Sequence, residues 1–538
     1  MKGKLVASIE EVIRLCGLKD GMTVSFHHHL RDGDQVLPMV MAKIQEMGFH
    51  DITVSASSIH GSHGCLADMI REKVVTGIDT NFIHKCVGQT ISDGYLEKPA
   101  IFRTHGNRPH ALATGEAHID IAFIAASAAD CQGNMNGVDG PSAFGPMGYA
   151  FADAQYADKV VVITDYLADY PLTPISIDER YVDYVVKVDS IGDTSGIASG
   201  ITTISKDPLG LKIAKTAVEV FQNSGYFEDG FIFQTGGGRT SLATTKFLKE
   251  AMDRQHVHGA CILGGINGLF VDLLEGGYFD KIVDTQCFDL RAVESLKKDV
   301  RHQEISCGHY ADMCAKSCVA AHLTTVMLGA TEIDRDFNVN IHTDSNGIIM
   351  GGSGGHTDIA HGAKLTVIVT PLLRQRRAAV LDKVGTKSTL GDSVDVLVTQ
   401  RGIAVNPRHE GLRERLEAAG MPVKDIHALR AMARELTGEP KPVEFTDRVV
   451  AEVHGYDGKI NDYIYQLTAT DELHMRNVMG YMVDENNAKT FAILYESSDF
   501  GTGGFKIAST VCDDFGLEMV DSEVYNSGDT DFSVPLGK

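Results

Sequence analysis

Basic side chains are scarce. The 538 residues include 49 Lys and Arg against 72 Asp and Glu, for a formal net charge of −23. Duplex nucleic acid needs a basic surface, so this balance excludes it as a principal partner. Any anionic substrate must be gathered by individual arginines and not by the global field. No run of about 18 apolar residues occurs, so no segment is expected to span a membrane. Residues 1–21, MKGKLVASIEEVIRLCGLKDG, carry Glu10 and Glu11 and lack the uninterrupted apolar core of a signal peptide. The ten cysteines include no C-x-x-C pair, and their only close group is Cys307, Cys314 and Cys318. Neither a zinc ribbon nor a thioredoxin-like motif is supported; reduced, partly buried thiols in a cytoplasmic protein are expected. Nucleotide and hydrolase signatures are missing too. Gly236-Gly237-Gly238-Arg239 is not a G-x-G-x-x-G fingerprint, no Gly-Lys-Ser/Thr follows it, and no G-x-S-x-G elbow occurs.

Glycine, by contrast, is plentiful: 55 residues, about a tenth of the chain against the usual ~7%. The densest run lies within 338–370, NVNIHTDSNGIIMGGSGGHTDIAHGAKLTVIVT, where Gly351, Gly352, Gly354 and Gly355 are broken only by Ser353. It reads either as a plain turn or as backbone N–H groups presented to an anion or a carbonyl oxygen. The apolar continuity of Leu365–Thr370 is that of a central parallel strand, and open α/β sheets bind ligands at strand ends.

A helix is expected over residues 1–20, a strand at Thr23–Phe26, a helix at Val36–Ile44, and strands at Asp51–Ser55, Ile119–Ala125 and Lys159–Thr164. A second rhythm starts near residue 230. Its strands are Phe231–Gln234, Ala260–Leu263 (running into a Gly264-Gly265-Ile266-Asn267-Gly268 turn), Lys281–Asp284 and Val394–Gln400, and its first helix is Ser241–Met252. Amphipathic helices follow at Glu410–Ala419 and Lys424–Leu436, and a strand at Arg448–Val453 is expected to close this half. The fold class is therefore α/β, with mainly parallel sheets covered on both faces. Residues 1–215 and 216–457 read as two similar domains. Residues 458–538, with expected elements at Thr468–Glu485, Ala488–Glu496, Gly501–Gly516 and Leu517–Tyr525, read as an incomplete α/β module.

Polar groups gather at the strand ends. Three consecutive residues on a strand do not face one ion, so His27, His28 and His29 suit hydrogen bonds to a substrate better than a metal site. Arg31 reads as a bidentate carboxylate clamp or as a surface ion pair. His60-Gly-Ser-His63 forms a second polar turn, and Gly238-Arg239 joins backbone donors to a fixed cation. Asp344-Ser345-Asn346-Gly347 reads as a turn, or as a carboxylate aimed at a thioester.

Several of these strings together resemble the citrate lyase α-chain family: Ser25-Phe-His-His-His-Leu-Arg31-Asp-Gly33-Asp34, Gly264–Gly268, Asp336–Asn340, Gly352-Ser-Gly-Gly-His356 and Val394–Pro407. The similarity runs in order through about residues 1–457. It implies a CoA-transferase fold of two α/β domains and a citrate CoA-transferase activity. Citrate displaces acetate from an acetylated acyl carrier protein, or from acetyl-CoA, giving the citryl thioester. A partner β subunit then cleaves this to oxaloacetate and acetyl carrier, while a γ subunit bears the CoA-derived prosthetic group. The resemblance implies no tightly bound cofactor and no metal on this chain, the magnesium of the complex belonging to the β step. Catalytic roles are expected for Gly264, Gly265, Asn267, Asp344 and Asn346. Substrate contacts are expected from His28, His29, Arg31, Arg239, Gly352, Gly354, Gly355 and His356. Many related CoA-transferases use a glutamate nucleophile in the loop before the glycines; here Asp344-Ser-Asn-Gly347 has none, which favours direct exchange. Residues 462–538 resemble part of a branched-chain amino-acid periplasmic binding protein, so the chain reads as a fusion. The alternatives are a CoA-transferase for another carboxylic acid, or a solute-binding protein acting through the tail.

Overall fold

The computed structural model describes residues 3–198, 206–440, 442–468, 471–526 and 528–529. Met1–Val443 with Asp447–Gln466 forms one compact unit, and Glu444–Thr446 with Leu467–Lys538 a second, small one. Among the described residues no helix is long and apolar enough to cross a membrane.

Two large sheets build the first unit. One has ten strands, in the order Leu5–Val6, Tyr184–Lys187, Lys159–Thr164, Ile121–Ala126, Thr23–Phe26, Ile52–Ala56, Val75–Thr80, Ala100–Phe102, Phe445–His454 and Ile460–Leu467. Thr23–Phe26 lies parallel to both neighbours, in register Ser25↔Ser55 and Ser25↔Ala122. The other sheet has nine: His302–Glu304, Phe279–Cys287, Gly259–Ile266, Phe231–Thr235, Thr325–Gly329, Leu365–Val369, Val396–Thr399, Gly402–Val405 and Val423–Lys424. Its pairs are parallel except for the Val396–Thr399/Gly402–Val405 hairpin. The central strands are buried along their whole length, as continuous Val/Ile runs covered on both faces must be.

Three elements depart from the periodicity reading. Leu5–Val6 leaves the expected first helix to pair with Val185–Val186 at the sheet edge. The helix begins only at Ile9, where Ser8 caps it by accepting the Glu11 N–H. Gly264 and Gly265 are not a turn after a strand but lie inside Gly259–Ile266, at a register shift. Phe445–His454, expected to close the second half, instead adds to the first sheet, with Ala451 opposite Ala100. Local pattern specifies a strand but not its neighbour, which is chosen by burial across the whole chain.

The two sheets meet through the glycine-rich loop. Ile349 belongs to the core of the first sheet, and its N–H donates to Ser92 Oγ at 3.0 Å. Ile83 N–H donates to the Gly351 carbonyl at 3.0 Å, Gly354 N–H to the Asn81 carbonyl at 3.2 Å, and His105 N–H to the Gly354 carbonyl at 2.8 Å. A Cβ on Gly352 would lie 2.1 Å from the Asn81 oxygen, so only glycine admits this approach. On the helix His356–Gly362 that follows, the buried Asp358 Oδ2 accepts the Gly106 N–H at 3.0 Å.

In the small unit, Thr490–Glu496 and Glu518–Tyr525 form a two-stranded parallel sheet. Helices Asp471–Asp484 and Asp499–Val511 accompany it, with a core of Met479, Ala508, Val511, Cys512 and Leu517. The expected alternation of helix and strand is present.

Two outcomes follow from the seam between the sheets. Gly352→Ala should lower stability by about 1–3 kcal/mol, as overpacking does, whereas Gly385→Ala, with nothing within 4 Å of its Cβ, should not; urea midpoints of the two variants decide this. Burial raises the Asp358 carboxyl to about 8, above an ordinary value of about 3.9. Between these values the folded chain holds a proton that the unfolded chain has lost, so stability falls as pH rises through the window. The urea midpoint of the wild type should therefore drop relative to that of Asp358→Asn between about pH 5 and about pH 8; a constant difference would contradict it.

Candidate functional site

The site residues sit just past the carboxyl ends of the parallel strands. Thr23–Phe26 delivers His27, His28 and His29; Ile52–Ala56 delivers Ser57 and His60; Ala100–Phe102 delivers His105. From the second sheet come Gly265, Gln286 and Gln234.

His28 is buried between the sheets. Its Nδ1 lies 2.7 Å from Ser57 Oγ and its Nε2 3.2 Å from Gln286 Oε1. Gln286 returns a bond from Nε2 to the His28 carbonyl at 3.3 Å. With Nε2 donating to Gln286, Nδ1 is the nitrogen that accepts from the serine hydroxyl. Tyr149 closes the network: its hydroxyl donates to Gln286 Oε1 at 3.3 Å and meets His105 Nε2 at 3.2 Å. His28 packs on the Tyr149 ring at 4.5 Å and His29 on Phe144 at 4.7 Å. Burial pushes the pKa values of His27, His28, His29 and His60 well below the ordinary range. It brings His105 to about 3 and raises the Tyr149 hydroxyl well above its usual value. At neutral pH these are uncharged groups.

Arg31 is the exception. It is 8% exposed and adopts φ +54°. Its guanidinium lies over the Phe288 ring at 5.4 Å, a cation–π contact. The charge of the neighbouring Asp32 favours the guanidinium against its burial, and its Nε is buried without a partner. Its charge helps to hold down the pKa of His60 and His28. Nearby Arg108 is already answered by Asp153 at 2.6 Å.

The glycines form the opposite wall. A Cβ on Gly265 would strike the Phe288 ring at 2.1 Å, and one on Gly264 the Gln234 amide at 2.5 Å, so the strand must be bare to lie against these side chains. Gln234 Nε2 donates to the Tyr310 hydroxyl at 2.5 Å. That hydroxyl and the His105 ring flank Gly355. The N–H groups of Gly352, Ser353 and Gly355 have no partner among the described residues. Unpartnered buried side-chain atoms here include both ring nitrogens of His29, His60 Nε2, Gln234 Oε1, Thr235 Oγ1 and Ser353 Oγ. Such groups are rare in a fold, and their concentration here makes this the candidate site.

The fold thus brings together His28, His29, Arg31, Gly264, Gly265, Gly352, Gly354 and Gly355. Other candidates have structural partners. Asn267 Oδ1 caps the helix Gly268–Glu275, accepting Leu269 N–H at 3.0 Å and Phe270 N–H at 3.3 Å. Asp344 Oδ1 accepts the N–H groups of Asn346 and Ile348, and its Oδ2 pairs with Lys85 at 3.1 Å; Asn346 is exposed. The string is a turn pinned to the first half. His356 has Nδ1 2.8 Å from Thr389 Oγ1 and Nε2 3.1 Å from the Gly329 carbonyl, leaving no ring nitrogen for a ligand. Arg239 is exposed at the start of the helix Arg239–Gln255. Sequence reasoning missed Ser57, His105, Tyr149, Gln234, Gln286, Phe288 and Tyr310. Ser57 and His105 follow strands and were open to the strand-end argument; Gln286 and Tyr310 carry no local signal.

The chain is similar to known proteins over most of its length. A family model described as citrate lyase, alpha subunit, matches residues 2–467. The citrate lyase alpha chain of Escherichia coli K12 is 46% identical over 86% of this chain and 91% of its own. That of Klebsiella pneumoniae is 45% identical over 87% and 92%. A crystal structure of the citrate lyase alpha subunit from Streptococcus mutans, in complex with citrate, aligns with a TM-score of 0.85 at 44% identity, covering 87% of this chain and 92% of that one. A malonate decarboxylase alpha subunit from Acinetobacter baumannii, at 15% identity and a TM-score of 0.61, shares the fold. The family model runs to residue 467, into the segment expected to belong to the tail, and the expected resemblance of residues 462–538 to a periplasmic binding protein is not borne out. The chain belongs to the citrate lyase alpha-subunit family.

Proposed function

We propose that this citrate lyase alpha chain, a citrate CoA-transferase component, exchanges its thioester in the cleft between the two sheets, with Arg31 holding a citrate carboxylate. The observation that carries this is a buried guanidinium whose Nε has no partner, in the same region as three loop N–H groups without a partner among the described residues. A citrate carboxylate oxygen attacks the acetyl carbonyl carbon. The C–S bond breaks, leaving a thiolate and an acetyl–citryl anhydride. The thiolate then attacks the citryl carbonyl and acetate departs. Both steps place negative charge on a carbonyl oxygen, and fixed N–H donors at Gly352, Ser353 and Gly355 suit that oxygen. The neutral Tyr149 hydroxyl and the His28–Gln286 pair supply further donors without adding charge. Neither step needs a proton to be moved overall.

Direct exchange is supported by the engagement of Asp344 with Lys85 and the turn amides. The carrier is acetyl-CoA or the CoA-derived group of an acetylated acyl carrier protein, and the partners are the β and γ subunits of citrate lyase. The chain works in the cytoplasm. Acetyl-CoA incubated with citrate and the purified chain should yield citryl-CoA and acetate; exchange with other acids but none with citrate would refute the reading. Arg31→Ala should raise the KM for citrate about ten- to a hundredfold, the range of a lost charged hydrogen bond of about 1.5–3 kcal/mol. The KM for acetyl-CoA should change little. Equal loss for both substrates would remove Arg31 from carboxylate binding.

A further inference from the structure

A cluster outside the cleft joins the same two halves. His110 stands on the helix Asn107–Thr114, one of the covers of the first sheet. Asp312 and Cys314 occupy the turn after the helix Cys307–Ala311, in the second half. One ligand atom from each of the three lies within 4.8 Å of the others. His110 Nδ1 is 3.4 Å from Asp312 Oδ2. Two ligands on a tetrahedral ion with bonds of about 2.0–2.1 Å are separated by about 3.3–3.4 Å, so this edge needs almost no adjustment.

The supporting contacts have the same sense. Asp312 Oδ1 accepts the Cys314 N–H at 2.9 Å. That bond orients the carboxylate, leaves Oδ2 for another partner, and holds the thiol of Cys314 beside it; outer contacts of this kind are what fix ligands in metal sites. Asp457 adds negative charge near the thiol. Cys314 is exposed and the His110 side chain 31% exposed, so water can complete the coordination.

We infer that His110, Asp312 and Cys314 form a three-ligand site for a divalent cation of the zinc type, bridging the two halves beside the reaction cleft. Sulfur and imidazole donors favour zinc over magnesium or calcium, which take oxygen. On binding, the thiol of Cys314 gives up its proton to solvent and the ion takes the thiolate. The site would act on position. Tyr310 precedes Asp312 by two residues, and His105 lies five before His110. Between them, a Cβ on Gly106 would fall 1.9 Å from the Ala311 carbonyl oxygen, so the two helices touch without slack and an ion would tie together the segments that carry the cleft.

The test uses the full-length, tag-free chain stripped with a chelator and titrated with cobalt(II), with thiolate-to-cobalt charge-transfer absorption as the readout. One equivalent per chain is expected, with the band lost in Cys314→Ser and retained in Cys86→Ser, whose thiol lies 3.2 Å from His84 Nδ1. Zinc affinity, read by competition with a chromogenic chelator, should fall at least about tenfold in His110→Ala, since even outer-sphere changes cost that much. No saturable uptake, a band undiminished in Cys314→Ser, or a band lost in Cys86→Ser instead would overturn the assignment.

Discussion

Everything at the cleft depends on a loop seated main chain to main chain. Three backbone hydrogen bonds tie Gly351, Gly354 and His105 across the boundary between the sheets, and the Gly352 Cα approaches the Asn81 carbonyl too closely for any side chain. Bonds buried in this way are strong because water does not compete for them. Their effect reaches beyond stability. Once the carbonyls of Gly351 and Gly354 and the Gly354 N–H are committed to the first half, the neighbouring N–H groups of Gly352, Ser353 and Gly355 are held in place without being consumed. Donors fixed before the reaction need no reorganisation when charge develops.

Electrostatics completes what the loop begins. The chain is strongly acidic, yet its cleft is not. Burial keeps the imidazoles around Arg31 neutral, and Asp153 answers Arg108. The guanidinium of Arg31 therefore keeps its charge among neutral imidazoles and over an aromatic ring that does not neutralise it. A cluster of protonated histidines would bind any anion; neutral ones donate hydrogen bonds in fixed directions and leave selection to shape.

The α/β class, the two rhythms, and the strand-end location of the polar turns were all legible from periodicity and glycine placement. Arg31, His28 and the dense glycines belong together in space, as their strand-end positions imply. Other roles were less legible. Asn267, Asp344 and His356 look alike in sequence whether they touch a ligand or cap the chain, because the same polar atoms serve both uses. In the fold they bond to Phe270, Lys85 and Gly329.

Side-chain period and glycine content, which act over a few residues, mark which segments could be buried strands and where backbone could turn tightly. Long-range packing set the rest: Phe445–His454 joins the first sheet, Gln286 meets His28 across 258 positions, and His110 faces Asp312 across 202. Such pairings are set by how whole sheets bury their faces against one another, and no local pattern encodes a neighbour so far along the chain.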